Sequence, residues 1–266
     1  MSKRTRAGAP KAAILAHQQE SSPPSSSSTL ATTKKKRPNL KSKQEHTFQP
    51  VTDPNFTSTY RVAGLHPRAQ VFYCEAFVKP DLAREWRDRL LSEMEWYRPT
   101  LRVYGKDVTQ SRQIAAYATT SDLKLTYSGH PVEMHHPFPP LLTQIATHLT
   151  QTLQIDFNHV MLNLYEDGSR YIGKHRDNKE NLCIASLSLG VGRRWVMDRV
   201  RRKGFVVGAG DEGDGVVDRK EWTLADGSLL VMQGDTQELY THEIPKEPKI
   251  KDLRISLTFR QLLNKE

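Results

Sequence analysis

Residues 171–181, YIGKHRDNKEN, hold the side chains of this sequence with the clearest potential for chemistry. Their His-Arg-Asp triplet also occurs in the catalytic loop of protein kinases, where an asparagine follows five residues after the aspartate. Here Leu182 occupies that position, and no suitable glycine-rich strand lies upstream. The sequence therefore excludes a kinase and leaves two interpretations, half of a metal site or a charged surface turn.

The metal interpretation starts from His175 and Asp177. Side chains alternate along an extended segment, so these two project to one side, about 6.6 Å apart at the backbone. A lone His-x-Asp pair is a weak signal and needs a third ligand, for which His242 is the candidate. Two histidines and one carboxylate leave coordination positions open, as in non-haem Fe(II) oxygenases. A structural zinc site would require a fourth protein ligand.

A possible anion site lies in the C-terminal segment RISLTFR, residues 254–260. In a strand, Arg254, Ser256, Thr258 and Arg260 share one face. Two guanidinium groups on one face of an apolar strand are costly unless they meet anions. A dicarboxylate such as 2-oxoglutarate would satisfy them, because arginine binds carboxylates through two parallel hydrogen bonds. The alternative is that both arginines pair with surface acids.

The elements that must position these residues are two helices followed by many short strands. Helical spacing of apolar residues is present in residues 79–97 and 139–155, and residues 101–120 predict a hairpin or paired strands. After Phe157 the helical period ends, and short β-rich segments alternate with Gly and Asp turns. This order predicts an α+β fold with helices packed on a sandwich or barrel.

The positive charge is concentrated in an N-terminal tail. The net charge is +9, and residues 1–46 contain ten Lys and Arg residues but two acids. We expect residues 1–56 to be disordered, because their Ser- and Pro-rich composition buries little apolar surface. The basic cluster KKKRPNLKSK, residues 34–43, predicts a nuclear localisation signal or a nucleic-acid tether, with a merely solvated tail as the alternative. Two cysteines fit a reducing compartment, and no apolar run predicts a membrane span.

Five separated motifs resemble, in order and spacing, the AlkB family of Fe(II)/2-oxoglutarate dioxygenases. They are NLYEDGSRYIGKHRD (163–177), IASLSLG (184–190), GSLLVMQG (227–234), His242 followed by Pro245, and RISLTFR (254–260). The resemblance extends over residues 60–263 and is closest to the eukaryotic nuclear branch that repairs alkylated duplex DNA. It implies a double-stranded β-helix, a jelly-roll variant, with helices on its outside. We expect this domain over residues 57–266, with a substrate-recognition portion at 60–156 and the jelly-roll core at 157–264.

The resemblance also implies roles for the residues around the cofactors. It makes His175, Asp177 and His242 the ligands of Fe(II). The residues implied to hold 2-oxoglutarate are Asn163, Tyr165, Arg254, Ser256 and Arg260. Ser256 departs from the family pattern, which usually has asparagine there.

For the substrate, the resemblance implies a nucleobase pocket and a DNA-contacting surface. The pocket positions are Arg112, Tyr127, Ser128, Lys179 and Glu180. Val103, Tyr104 and Gly105 lie where the duplex-acting branch carries an aromatic finger, and an ordinary cross-strand aromatic is the alternative for Tyr104. The basic run comprises Arg193, Arg194, Arg199, Arg201, Arg202 and Lys203, and predicts a phosphate patch or a solvated loop. Two departures concern the substrate. Leu125 stands where the family has a pocket tyrosine, and Lys179 stands where it has an acidic residue, with Glu180 as the candidate substitute.

The implied activity is oxidative demethylation of 1-methyladenine and 3-methylcytosine in DNA, with O2 and 2-oxoglutarate consumed and succinate, CO2 and formaldehyde released. The same chemistry on RNA or on a protein side chain is one alternative. A non-catalytic nucleic-acid-binding module is another, although an intact set of His175, Asp177 and His242 argues against it. We expect a nuclear monomer that does not bind membranes.

Overall fold

The computed structural model describes residues 50–103, 106–127, 130–178, 181–200 and 216–262. The helices are α1 (Pro54–Thr59), α2 (Pro80–Glu93), α3 (Pro140–Leu153) and α4 (Thr236–Leu239). The first strands are β1 (Ala69–Cys74), β2 (Thr100–Val103), β3 (Lys106–Thr109), β4 (Gln113–Ala118), β5 (Thr126–Tyr127), β6 (His130–Pro131) and β7 (His159–Tyr165). They are followed by β8 (Ile172–His175), β9 (Cys183–Gly190), β10 (Arg193–Arg199), β11 (Arg219–Leu224), β12 (Leu229–Gly234), β13 (Tyr240–Ile244) and β14 (Arg254–Arg260).

Two antiparallel sheets form the core. The major sheet has the order β1-β12-β9-β14-β7-β4, and the minor sheet has the order β11-β10-β13-β8. An apolar cluster joins them, with Ile184 and Leu230 from the major sheet against Trp195 and Tyr240 from the minor sheet. The two facing sheets are the double-stranded β-helix that the sequence predicts.

The opposite face of the major sheet packs on α2 and α3. In β14, Ile255, Leu257 and Phe259 enter a cluster with Leu142 and Leu149 of α3. The intervening side chains of β14 face the minor sheet, since side chains alternate across a strand. The predicted alternation is therefore present, and it places both arginines of this strand in the space between the sheets.

The two long helices begin where the sequence predicts. Pro80 and Pro140 each occupy a first-turn position, where a missing backbone N–H costs nothing. Helix α3 ends at Gln154, which adopts a left-handed conformation with φ of 56°. Among the described residues, no helix is both long enough and apolar enough to cross a membrane.

Two predicted boundaries are wrong. Ordered structure begins before residue 57, because the Val51 backbone N–H donates to Gln233 Oε1 at 2.7 Å and Phe56 of α1 is buried in the core. The division at residue 157 also crosses a single sheet, since β1 and β4 form the two edges of the major sheet. Strand β4 pairs with β7 along its whole length, whereas β2 pairs with β3 as a separate hairpin.

Candidate active site

A cavity of about 390 Å³ lies between the two sheets. Strands β7, β9, β12 and β14 supply one wall, and β8, β10 and β13 supply the other. Its polar lining includes Arg112, Asn163, Tyr165, His175, Asp177, His242, Arg254, Ser256 and Arg260. Thus the sequence-predicted metal and 2-oxoglutarate residues line one space, together with one predicted nucleobase contact.

His175, Asp177 and His242 converge in this cavity. Their candidate ligand atoms all lie within 4.8 Å of one another. His175 ends β8 and His242 lies opposite it on β13, so backbone pairing brings the two imidazole rings to a centroid distance of 4.3 Å. Asp177 follows two residues later, with its Oδ2 atom 3.5 Å from His242 Nε2. Separations of this size allow one ion to contact all three side chains.

Neighbouring groups orient the three candidate ligands. His175 Nδ1 lies 2.9 Å from the Gly173 carbonyl oxygen, and a proton on Nδ1 leaves Nε2 free to bind a metal. The Asp177 backbone N–H donates to Gln237 Oε1 at 2.9 Å, and Arg260 Nη2 donates to Asp177 Oδ1 at 2.6 Å. The Trp195 ring stacks on His242 at a centroid distance of 4.7 Å and an angle of 18°.

The protonation states of these residues suit a cation. Burial, and next the neighbouring His242, lower the pKa of His175 to about 4, so its imidazole is neutral at pH 7. Burial alone would raise the pKa of the Asp177 carboxyl, but the Arg260 guanidinium and the contact with His242 hold that pKa well below its ordinary value. A neutral imidazole and a carboxylate are the forms that bind metal ions.

Arg254 forms a second pole of the cavity. Its side chain is 1% exposed, and its Nη2 donates to Ser188 Oγ at 2.8 Å. The guanidinium lies 5.4 Å from the centroid of the Tyr165 ring. Its Nε and Nη1 atoms are buried without a hydrogen-bond partner among the described residues. A buried cation with unused donors is costly, and a carboxylate is the group that would satisfy it.

Polar side chains continue along the cavity wall from this pole. Ser186 Oγ lies 3.2 Å from Ser256 Oγ and 3.3 Å from Thr258 Oγ1, which makes a row of hydroxyl groups across β9 and β14. On the next strand, Asn163 Oδ1 accepts a hydrogen bond of 2.6 Å from Arg112 Nε. The cavity therefore contains a metal pole (His175, Asp177 and His242), an anion pole (Arg254) and hydrogen-bonding groups on the wall between them.

Comparison with known proteins accounts for this donor set. A family model described as the 2OG-Fe(II) oxygenase superfamily matches residues 70–260. The chain is 32% identical over 211 residues to "DNA oxidative demethylase ALKBH2" of Arabidopsis thaliana, covering 73% of this chain and 67% of that protein. A human protein of the same name is 33% identical over 208 residues, covering 74% and 76%. A Bos taurus protein, "Alpha-ketoglutarate-dependent dioxygenase alkB homolog 3", is 32% identical over 199 residues, covering 72% and 66%. The chain belongs to the AlkB family.

This AlkB-family protein is therefore a dioxygenase that uses Fe(II) and 2-oxoglutarate. The residues present fit both groups. Two imidazoles and one carboxylate within 4.8 Å suit a divalent ion and leave positions open. The buried guanidinium of Arg254, with two unused nitrogens, suits a carboxylate of 2-oxoglutarate.

One predicted DNA contact is wrong for this family member. Arg193, the first residue of β10, was expected to contact phosphates, but its side chain is 0% exposed. Its guanidinium is buried because it donates to the Glu247 carboxylate and to three backbone carbonyl oxygens. A run of cations in the sequence does not distinguish an arginine that faces solvent from one enclosed by loops.

Only some of the other residues predicted to contact the substrate lie among the described residues. Leu125 and Arg112 line the cavity. Val103 and Tyr127 lie at the ends of β2 and β5, and Arg199 ends β10. Tyr104, Gly105, Ser128, Lys179, Glu180, Arg201, Arg202 and Lys203 lie outside the described residues.

Several residues that shape the site were not predicted. Gln237, 5% exposed, holds the backbone of Asp177, and Ser188 holds Arg254. Trp195 covers His242. The alternation of side chains along a strand indicates Ser188, because it shares a face of β9 with Ser186 in the segment IASLSLG. Gln237 gives no comparable signal, because its contact depends on the approach of residues 60 positions apart.

Proposed function

We propose that this dioxygenase removes N-methyl groups from nucleobases in DNA, with 1-methyladenine and 3-methylcytosine as substrates. One observation carries the proposal, namely that the His175, Asp177 and His242 set and the unsatisfied guanidinium of Arg254 open into one cavity. The relatives named DNA oxidative demethylase support DNA as the substrate class. An N-methyl group that becomes N-hydroxymethyl leaves as formaldehyde together with a proton, and adenine N1 or cytosine N3 regains the lone pair that it uses in base pairing.

In this proposal, His175, Asp177 and His242 hold the iron. Bound Fe(II), supplied with O2 and 2-oxoglutarate, provides the oxidation of the methyl group, with succinate and CO2 as the other products. Arg260 keeps Asp177 ionised and fixes the direction of its carboxylate through the 2.6 Å hydrogen bond. Trp195 covers one face of His242 and excludes water from that side.

Arg254 binds the distal carboxylate of 2-oxoglutarate. Ser188 occupies one of its nitrogens and so fixes the plane of the guanidinium, which leaves Nε and Nη1 for the ligand. Tyr165, Ser256 and Asn163 lie on the wall between Arg254 and the metal pole and supply hydrogen bonds to the rest of the molecule. Binding the anion here also relieves the cost of a buried unpaired cation, so the apo site favours its ligand.

The nucleobase enters from the side of the cavity lined by Leu125, Ile114 and Met161. This part of the wall belongs to a small apolar cluster with Val132 and Met134. An apolar pocket suits the faces of an extruded base, which a duplex conceals until the nucleotide is flipped. Arg112 lies at the border between this apolar wall and the 2-oxoglutarate residues, where it bonds to Asn163.

The remaining roles are part of the same proposal. Tyr127, Ser128, Lys179 and Glu180 contact the base, and Val103, Tyr104 and Gly105 form a finger that fills the gap in the duplex. Arg199, Arg201, Arg202 and Lys203 contact phosphates. The basic cluster at residues 34–43 directs the protein, as a monomer, to the nucleus. Within residues from about 60 to 156, the segments outside β1 and β4 contribute substrate recognition, because those two strands belong to the major sheet.

The experiment that tests this function is a panel of methylated oligonucleotides. Each carries one 1-methyladenine or 3-methylcytosine, as single-stranded DNA, duplex DNA or single-stranded RNA, with unmethylated strands as controls. We expect formaldehyde release that depends on Fe(II) and 2-oxoglutarate, with faster turnover on DNA. Activity confined to RNA would overturn the DNA assignment, and no release from any strand would overturn nucleobase demethylation.

The finger is tested by Tyr104→Ala on the same panel. We expect a larger loss on duplex DNA than on single strands, because only a duplex leaves a gap to fill. The matched control is Val108→Ala in β3, where Val108 is 44% exposed. A uniform loss on both kinds of strand, or an equal effect of Val108→Ala, would remove Tyr104 from this role.

A further inference from the structure

The position of His175 depends on a weakly paired strand. Strand β8 is an edge of the minor sheet, has four residues and pairs on one side with β13. The pairing consists of His175 opposite His242 and Ile172 opposite Ile244, with a register shift between them. Three residue steps along β8 thus lie opposite two along β13, an irregularity of the kind that a β-bulge produces. So short and irregular a ladder leaves the register of β8 to be fixed by other contacts.

Arg193 supplies such a contact at the end where β8 begins and β13 ends. Its Nη2 donates to the carbonyl oxygens of Arg170 and Pro245, each at 2.9 Å. Arg170 lies two residues before β8, and Pro245 directly follows β13. One nitrogen on β10 therefore connects both strands just beyond their last pair.

The other nitrogens of Arg193 extend the same connection. Nη1 donates to the Asp167 carbonyl oxygen at 3.2 Å, and Nε donates to Glu247 Oε2 at 3.0 Å. The segments on either side approach so closely that a Cβ atom on Gly168 would lie 1.9 Å from the Glu247 carbonyl oxygen. The Gly168 carbonyl oxygen also accepts the Glu247 backbone N–H at 2.7 Å.

Arg193 also contacts the anion pole. Its guanidinium lies 5.6 Å from the centroid of the Tyr165 ring, which Arg254 approaches at 5.4 Å. The residue is fully buried, so water cannot replace its hydrogen bonds without opening the loops. Other contacts of β8 are more exposed. Lys174 pairs with Asp198 with half of its side chain in solvent, and such pairs contribute little.

We propose that Arg193 is a positioning residue that fixes β8 against β13 and so holds His175 in place to bind the metal together with His242. The inference rests on the metal site proposed above. It assigns to Arg193 a function inside the fold, in place of the phosphate contact that the sequence indicated. Loss of the guanidinium frees the start of β8, and the metal then binds to a pair of histidines that it must itself bring together.

The test is a titration of the metal-free protein with Co(II), whose visible absorption reports coordination. We expect Arg193→Lys to weaken Co(II) binding by about 10- to 100-fold, the range found when groups that orient metal ligands are changed. Lysine keeps the charge but cannot reach four acceptors in the planar arrangement of a guanidinium. Glu247→Gln, which keeps the guanidinium, should produce a smaller change in the same direction and serves if Arg193→Lys does not fold.

The matched control is Arg61→Lys. Arg61 also donates to two backbone carbonyl oxygens, of Pro67 and Ala69, and lies 5.6 Å from the centroid of the Phe72 ring, but it does not line the cavity. We expect its Co(II) affinity to equal that of the wild type. Equal weakening in Arg61→Lys and Arg193→Lys would overturn the proposal, because the effect would then reflect general destabilisation.

Hydrogen exchange separates this inference from the metal assignment. In the metal-free Arg193→Lys protein, we expect faster amide exchange in β8 and in β13, with β9 and β14 unchanged. Uniform acceleration, or none, would overturn the positioning role. If the wild type binds Co(II) no better than His175→Ala, the metal assignment fails, and the exchange pattern still decides whether Arg193 fixes the strands.

Discussion

The two ends of the cavity are built in different ways. Strands of the two sheets form the end that contains the candidate metal ligands and Arg254, called here the strand-borne end. In it, His242 is 3% exposed and Arg254 is 1% exposed. The other end, called here the hairpin end, is bordered by Leu125 and by Thr126, the first residue of β5, which pairs with β6 as a hairpin. The separate hairpin of β2 and β3 includes a strand in which every residue is exposed.

This difference follows from what each end must do. Charged groups that bind an ion and a carboxylate act best when buried strands hold them in position before the ligand arrives. A nucleobase must enter and leave, and segments that move for this purpose come from the less stable parts of a fold. We therefore expect substitutions at the strand-borne end to affect the reaction on every substrate, and those at the hairpin end to affect substrate choice.

The largest effect is expected at the metal pole. His175→Ala should reduce formaldehyde release by at least about 10³-fold on every oligonucleotide, the scale for losing one member of a catalytic unit. His175 belongs to none of the apolar clusters of the described residues, so the melting temperature should change little. Succinate and formaldehyde assays with a thermal melt measure both. Retention of a tenth of the wild-type rate would remove His175 from the ligand set.

The strand-borne end could be predicted because its residues obey a simple period. Alternation in RISLTFR places Arg254 and Arg260 on one face, and the structure has them both in the cavity. The same rule places Asn163 and Tyr165 together on β7. Residue type made His242 a candidate third ligand beside His175, and the resemblance to the AlkB family strengthened that prediction, since no local pattern connects residues that are distant in sequence.

The burial of Arg193 and the start of the ordered structure depend on long-range packing, which a sequence does not display. Arg193 and Arg194 are adjacent cations in the sequence, yet only Arg193 is enclosed by loops from two other parts of the chain. The start of the fold was placed too late because the tail composition hid Val51, whose backbone bonds to the distant Gln233. Both errors concern contacts between residues far apart in sequence.

The next largest effect is expected at the anion pole. Arg254→Met should raise the KM for 2-oxoglutarate about 30- to 1,000-fold, because truncating a buried charged partner costs roughly 2–4 kcal/mol. The KM for the oligonucleotide should stay constant, and steady-state kinetics with each substrate varied separately tests this. A rise confined to the oligonucleotide KM would contradict the division between the two ends.

The same variant should stabilise the apo protein. Burial lowers the pKa of Arg254 to about 10, so the charged form costs stability in the fold. The unfolded chain binds the proton more tightly, and the cost therefore decreases only as pH rises above about 10. At pH 7 both states are protonated, and methionine removes the whole cost. A lower apo melting temperature for Arg254→Met would show that Arg254 is already satisfied without ligand.

Arg112 lies at the border between the two ends of the cavity, so its substitution tests to which end it belongs. Its Nε donates to Asn163 Oδ1 at 2.6 Å, which connects a predicted nucleobase contact to the 2-oxoglutarate wall. Arg112→Lys keeps the charge but not this geometry, and we expect both KM values to rise about 2- to 10-fold, as for the loss of one hydrogen bond. If the KM for 2-oxoglutarate alone rises, Arg112 belongs to the strand-borne end. If the KM for the oligonucleotide alone rises, it belongs to the hairpin end.

The smallest effect is expected at Leu125, on the apolar wall of the hairpin end. The side chain is partly buried, so Leu125→Ala removes apolar contact worth about 0.5–1 kcal/mol and should raise the KM for the methylated oligonucleotide roughly 2- to 5-fold. The KM for 2-oxoglutarate and the Co(II) affinity should not change, because Leu125 packs against the apolar cluster that contains Ile114 and Met161. The change should also differ between 1-methyladenine and 3-methylcytosine, since purine and pyrimidine rings cover different areas of an apolar wall. An equal effect on both bases, together with a change in 2-oxoglutarate binding, would mean that Leu125 supports the fold of the cavity as a whole, and the functional division between its ends would then be lost.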